Sequence, residues 1–152
     1  MDILIILLLL VLNGVLSMSE TAMVSSQRVR LKQRADAGHR GAAAALAVSA
    51  SPTRFLSTVQ VGITLIGILM GAVGEASVAE YVRRAIQGVP ELRAISQPLS
   101  IGVVVLSITF LSVVLGELVP KRLALMAPEA IASALAIPLR LLSRLTSPLV
   151  SL

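Results

Sequence analysis

The sequence predicts an all-α membrane protein with three transmembrane helices and further helices at the membrane surface. Three observations carry this prediction. Hydrophobic residues make up 56% of the 152 residues, and only 14% are charged, whereas soluble domains average about 25% charged residues. The mean hydropathy is +0.92. Three apolar stretches also reach the roughly 20 residues that a helix needs to cross a bilayer. An ordinary soluble domain and a disordered chain are therefore excluded.

The predicted spans are about residues 3–24, 55–79 and 99–119. The first begins with ten consecutive apolar residues and has Asp2 where a secretory signal would carry basic residues, so it is not read as a cleaved signal peptide. The second is free of charge over residues 55–74, and the third carries one charge, Glu117, near its end.

Charges between the spans predict the orientation. Residues 25–54 carry six basic residues and one acidic residue, residues 75–98 carry three of each, and residues 120–152 carry four basic residues and one acidic residue. Because basic loops stay in the cytoplasm, we expect the N-terminus outside and the C-terminus in the cytoplasm.

Two segments are predicted to lie beside the membrane. Residues 25–54 form a basic and then alanine-rich juxtamembrane segment, read as a helix over 26–49 at the inner interface that returns at Ser51-Pro52. Residues 122–150 are apolar but interrupted by Pro128, Pro138 and Pro148. We expect short interfacial helices there, with a fourth span as the weaker alternative.

Several functions are disfavoured by composition. The chain has no Cys and one His, which excludes disulfides, thiolate metal sites and His-cluster metal sites. Nucleic acid is not an expected partner despite 13 basic residues against 8 acidic ones, because only 2% of the residues are aromatic and could stack on bases. No nucleophile and base accompany the two acidic residues within the spans, so an enzyme is not expected.

Polar residues inside the first span form a stripe. Asn13, Ser17 and Glu20 follow i, i+4, i+7 spacing and therefore share one helix face. An ionisable group within a membrane is a functional hypothesis by default. Two other readings stay open: Asn13 and Ser17 could hydrogen-bond between helices, and Glu20 could pair with Lys121 or with a basic residue of the inner segment.

The end of the third span carries the most specific feature. Pro120 has no N–H, so the carbonyl of Gly116 loses its helix partner and must find a donor or a cation within the membrane. Glu117 adds a carboxylate, and Lys121 adds a counter-charge one turn further on. Oxygen donors without His or Cys favour Mg²⁺, Ca²⁺ or Na⁺. Thr64 of the second span offers a hydroxyl, unless that hydroxyl bonds back to its own helix.

Three blocks of the sequence resemble the membrane domain of the CorC/CNNM family. Residues 13–22 resemble its N-x-x-x-S-x-S-E-x-A signature, residues 52–56 with 60–64 resemble its second block, and residues 116–122 (Gly-Glu-Leu-Val-Pro-Lys-Arg) its third. The resemblance implies Na⁺-coupled Mg²⁺ efflux by a homodimer, expected in the inner (plasma) membrane of a bacterium. It also implies a cytosolic CBS-domain pair that this chain does not contain.

The resemblance further implies an ion site drawn from all three blocks. The metal-ligating residues would be Asn13, Ser17, Thr64, Gly116 and Glu117. Additional candidate ligands or supporting residues are Ser19, Glu20, Gly62, Pro120 and Lys121. The alternative function is a membrane anchor or ion-sensing module that regulates an attached cytosolic domain without transport.

Overall fold

The computed structural model describes residues 2–150, with side chains described for residues 2–141, and the secondary structure in that range is helical. The elements are α1 (Asp2–Ser25), α2 (Arg28–Asp36), α3 (Arg40–Ser49), α4 (Pro52–Val73), a first π-turn (Gly74–Val78), α5 (Ala79–Gln87), a 3₁₀ turn (Pro90–Ile95), α6 (Ser96–Val113), a second π-turn (Val114–Leu118), α7 (Val119–Met126) and α8 (Pro128–Val150).

Three continuous helical rods are long and apolar enough to cross a membrane. They run over Asp2–Ser25, Pro52–Gln87 and Pro90–Met126, which confirms the three predicted spans. Among the described residues, no fourth helix qualifies. The second rod extends beyond its predicted limit because the helical backbone continues through the first π-turn into α5. The third rod is longer at both ends, because the 3₁₀ turn precedes α6 and α7 follows the second π-turn. Which end faces the cytoplasm stays a prediction.

The basic juxtamembrane segment differs from the single helix predicted over 26–49. It forms two helices, α2 and α3, because Gly38 adopts a φ of +91° between them. This left-handed conformation suits glycine and turns the chain. The polar helix α2 buries only Leu31, whereas α3 buries Ala42, Ala44, Ala45 and Val48.

The prediction of short helices over 122–150 is wrong. Residues 119–126 complete the third rod as α7, and α8 is one helix of 23 residues. Pro128 fits at the start of α8, where no N–H is needed. Pro138 lies inside the helix on an exposed position, while Ala132, Ala136 and Leu139 are buried. The packing of this buried face outweighs the cost of the proline, which is about 3 kcal/mol in a helix interior.

Helix α1 is central to the packing. It lies against α4, α7, α8 and the second π-turn, and α3 packs along α8. The apolar cluster includes Leu10, Leu16, Met23, Phe55 and Met70. The outer faces of the spans carry exposed apolar side chains, as expected for helices surrounded by lipid.

Candidate cation site between α1 and the second π-turn

The second π-turn meets α1 at Gly116. Within this turn the N–H of Val119 donates to the carbonyl of Val114, a hydrogen bond one residue longer than in an α-helix. The sequence predicts that Pro120 leaves the Gly116 carbonyl without its helix partner. In the structure this oxygen accepts a hydrogen bond from Asn13 Nδ2 at 3.3 Å. The carbonyl is therefore held by a donor from another span.

Two glycines allow this close approach. A Cβ on Gly116 would lie 2.7 Å from Asn13 Nδ2. A Cβ on Gly14 would lie 3.1 Å from Pro120 Cγ and 3.5 Å from the Leu115 carbonyl oxygen. A side chain at Gly116 would force the asparagine away, and one at Gly14 would be tight. Gly14 is absent from the predicted site residues, although its position directly after Asn13 was a signal for close packing at that point.

Two buried oxygen atoms of α1 have no hydrogen-bond partner. Asn13 is 3% exposed and Ser17 is fully buried. The Asn13 Oδ1 and Ser17 Oγ atoms make no hydrogen bond, and the i, i+4 spacing puts both side chains on one helix face. Leaving a buried polar atom unpaired costs about 1–3 kcal/mol. A bound ligand that contacted these atoms would remove that cost.

Glu117 directly follows Gly116 in the second π-turn. Its carboxylate lies 3.4 Å from Lys121 Nζ, and the two side chains are 42% and 41% exposed. An ion pair this exposed contributes little to stability, so the carboxylate can exchange partners at small cost. Lys121 thus pairs with Glu117 and not with Glu20. The side chain of Glu20 is half-buried and makes no ion pair with the described residues.

The remaining predicted residues lie in other surroundings. The buried Ser19 hydroxyl donates to the Leu16 carbonyl at 2.6 Å. Thr64 is exposed and its hydroxyl donates to Gln60 of its own helix at 2.9 Å, which is the back-bonded arrangement. Gly62 packs against α1, where an added Cβ would lie 2.8 Å from Leu16 Cδ1. The structure therefore joins Asn13 to Gly116 directly and puts Pro120 beside Gly14, whereas Thr64 does not face the interior.

The candidate residues on α1 and the second π-turn are oxygen donors. Asn13 has an amide oxygen, Ser17 a hydroxyl, Gly116 a backbone carbonyl and Glu117 a carboxylate. The described residues contain no group of three or more His, Cys, Asp or Glu that could hold a metal. A cation here would have one carboxylate, neutral oxygens and water around it. Mg²⁺ characteristically keeps several waters and binds through one or two carboxylates. Protonated amines can donate hydrogen bonds to the same oxygens.

Fold and site together define an integral membrane domain with a small polar interior between spans. The chain belongs to the CNNM family, since the model of the cyclin M transmembrane N-terminal domain matches residues 4–152. The family resemblance of the three sequence blocks is thereby confirmed.

Curated relatives align over nearly the whole chain. A UPF0053 protein of Synechocystis sp. is 52% identical over 147 residues, covering 97% of this chain and 33% of the relative. An uncharacterized protein of Mycobacterium tuberculosis is 34% identical, covering 98% of this chain and 42% of its own length. The polyamine export protein of Escherichia coli K12 is 31% identical, covering 98% and 33%. The chain thus spans between a third and about two fifths of the length of these relatives.

Proposed function

We propose that this domain exports Mg²⁺ in exchange for Na⁺, with the cation bound between α1 and the second π-turn. The observation that carries the proposal is the pair of buried, unpartnered oxygens, Asn13 Oδ1 and Ser17 Oγ. They lie on the α1 face whose Asn13 contacts Gly116, the residue that precedes Glu117. A cation that shed part of its water shell could replace the lost water with these atoms.

Binding and release would be coupled through Glu117. Lys121 neutralises its carboxylate in the structure, and an arriving cation would compete with the ammonium group for it. Na⁺ would compete in the same way from the opposite side, which is the requirement for exchange. Thr64, Gly62, Ser19 and Glu20 stay candidate ligands for a second conformation in which α4 has moved relative to α1.

The assembled protein would be a homodimer in the inner membrane of a bacterium, attached to a cytosolic CBS-domain pair. Support for self-association comes from α4, where Gly67 and Gly71 are exposed and an added Cβ at either would meet nothing within 4 Å. Small residues of this kind let a second helix approach closely within a bilayer.

A second candidate cargo is a polyamine, because the relative from E. coli is named a polyamine export protein. A linear polyamine presents ammonium groups that would donate hydrogen bonds to Asn13, Ser17 and Glu117. It needs no octahedral set of ligands, and one carboxylate per ammonium group would suffice. Because the same donor atoms suit both cargoes, flux measurements are needed to distinguish Mg²⁺ from a polyamine.

The test uses the full-length protein in proteoliposomes loaded with Mg²⁺ or with spermidine, each with and without an opposing Na⁺ gradient. We expect Na⁺-dependent Mg²⁺ flux in the unaltered protein and a decrease of at least about tenfold in Glu117→Gln, which removes the charged ligand. Glu75→Gln is the matched control. Glu75 also follows a glycine in a π-turn, is exposed and makes no ion pair with the described residues.

Each other outcome rejects a stated part of the proposal. Unchanged Mg²⁺ flux in Glu117→Gln, or an equal loss in Glu75→Gln, would reject the site. Spermidine flux without Mg²⁺ flux would replace the cargo with the second candidate. Mg²⁺ binding without flux of either cation would favour the alternative of a membrane anchor or ion sensor.

A further inference from the structure

A groove runs between α3 and α8. None of the described residues that line its cavities belongs to the predicted ion site. Gly41 makes the groove narrow at its floor, because an added Cβ there would contact the backbone of Ser133. Beside this contact lies a cavity of about 290 Å³. Its basic lining comes from Arg34, His39 and Arg40, and its α8 lining from Ala130, Ser133 and Ala134.

The described residues that line this cavity include basic side chains and no acidic side chain. Arg34 and Arg40 are exposed, and neither makes an ion pair with the described residues. Arg34 also lines an adjoining cavity of about 370 Å³ together with Arg30 and Glu129. Glu129 accepts a hydrogen bond from the Gln27 N–H at 3.3 Å. Glu129 does not line the cavity that Arg34 and Arg40 share, and no other acidic residue of the described chain lines it.

The same groove becomes apolar further along α8. A cavity of about 330 Å³ is lined by Ala44, Ile137, Pro138 and Leu141, with Arg140 beside them. Ala134, Ile137 and Leu141 follow i, i+3, i+7 spacing and share one face of α8. Seven residues of helix separate Ala134 from Leu141, a distance of about 10 Å. Ile137 and Leu141 are 55% and 62% exposed.

We propose that this groove binds an anionic phospholipid. Arg34 and Arg40 bind the phosphate, for which guanidinium groups have matching geometry, and His39 lines the headgroup cavity. The acyl chain lies along Ile137 and Leu141. Along α8 the basic cavity is followed by an apolar cavity. This arrangement fits a lipid better than free phosphate, because phosphate would leave the apolar cavity empty. The proposal does not depend on which cargo the domain carries.

The test measures lipid retention by the purified full-length protein in detergent, using native mass spectrometry. The probes are phosphatidylglycerol, phosphatidylcholine, inorganic phosphate and glycerophosphoglycerol, which is the headgroup without acyl chains. The test variant is Arg34→Gln/Arg40→Gln. The matched control is Arg28→Gln/Arg122→Gln, which removes two exposed charges that line none of these cavities.

We expect the unaltered protein to retain phosphatidylglycerol in preference to phosphatidylcholine. Phosphatidylglycerol retention should fall by at least about tenfold in the test variant and by less than about threefold in the control. A third variant, Leu141→Ser, should weaken the binding of phosphatidylglycerol without changing the binding of glycerophosphoglycerol. Equal retention of the two lipids, or equal loss in the two arginine pairs, would overturn the proposal. Binding of inorganic phosphate as tight as that of the lipid would assign the site to a soluble anion and also overturn it.

Discussion

The two π-turns of this protein begin from the same local design and end in different surroundings. Each contains a Gly-Glu pair, Gly74-Glu75 in the first and Gly116-Glu117 in the second. Both glycines are buried. At the second turn the neighbour is the Asn13 amide. At the first turn the atoms nearest to an added Cβ on the glycine belong to the apolar side chains of Ile108 and Val104.

This difference teaches that a π-turn with a carboxylate does not itself make an ion site. Such a turn loosens the hydrogen-bond ladder of a helix, but the facing helix decides what the loosened backbone contacts. Helix α1 brings the Asn13 amide to the second turn, whereas α6 brings apolar side chains to the first. Substitutions that treat the two turns alike should therefore have unlike effects.

The largest difference is expected for alanine at the two glycines. In Gly116→Ala the new methyl group would displace Asn13 and separate α1 from the turn. We expect cation flux to fall to background and stability to fall by about 1–3 kcal/mol, as for other overpacked interiors. In Gly74→Ala the new methyl group meets the flexible end of Ile108, so flux should persist.

Flux in proteoliposomes and thermal unfolding in detergent measure both effects. Equal flux in the two alanine variants would show that the contact between Asn13 and Gly116 has no part in transport.

A smaller effect is expected when buried serines are replaced. Ser17→Ala removes a hydroxyl that has no partner, so stability should stay unchanged or rise slightly, while flux falls about tenfold. Ser100→Ala is the control. Ser100 is also buried, but its hydroxyl donates to the Gln97 carbonyl at 2.8 Å. We expect it to lose about 1 kcal/mol of stability and to retain flux. A large loss of stability in Ser17→Ala would assign that hydroxyl to packing.

The smallest effect is expected for the ion pairs near the two turns. Lys121→Gln removes the ion-pair partner of Glu117. Because solvent screens this partly exposed ion pair, stability should change by less than about 1 kcal/mol. The apparent cation affinity should rise a few fold because the competing ammonium group is gone. Arg84→Gln near the first turn breaks a similar pair with Glu80 and should leave the affinity unchanged. Concentration dependence of the flux checks both variants, and an equal change in both would contradict the competition.

Much of this site follows from sequence chemistry. The three spans could be predicted because apolar length and bilayer thickness are directly related. The loss of the helix partner of the Gly116 carbonyl could be predicted because proline lacks an N–H. The donor that meets it could not, because the rotation of α1 against α7 depends on packing between segments about a hundred residues apart.

Helix faces proved less predictable than helix positions. The family resemblance implies that Thr64 is a metal ligand, yet its place in the sequence does not fix the direction in which its side chain points. Thr64 is exposed. The break at Gly38 was accessible from the sequence, since glycine is the residue for a left-handed turn. The continuity of α8 through Pro138 was not, because it depends on the burial of Ala132 and Ala136.

A π-turn is equivalent to one residue inserted into an α-helix. One residue corresponds to about 100° of rotation about the helix axis, so α7 is out of phase with α6 although the rod is continuous. Residues repeated at seven-residue intervals consequently do not stay on one face of the rod across the second π-turn. Deleting a single residue from the second π-turn would restore the phase and rotate Pro120 away from Gly14. The insertion therefore sets the rotation of the C-terminal part of the third span, Val119–Met126, about the helix axis.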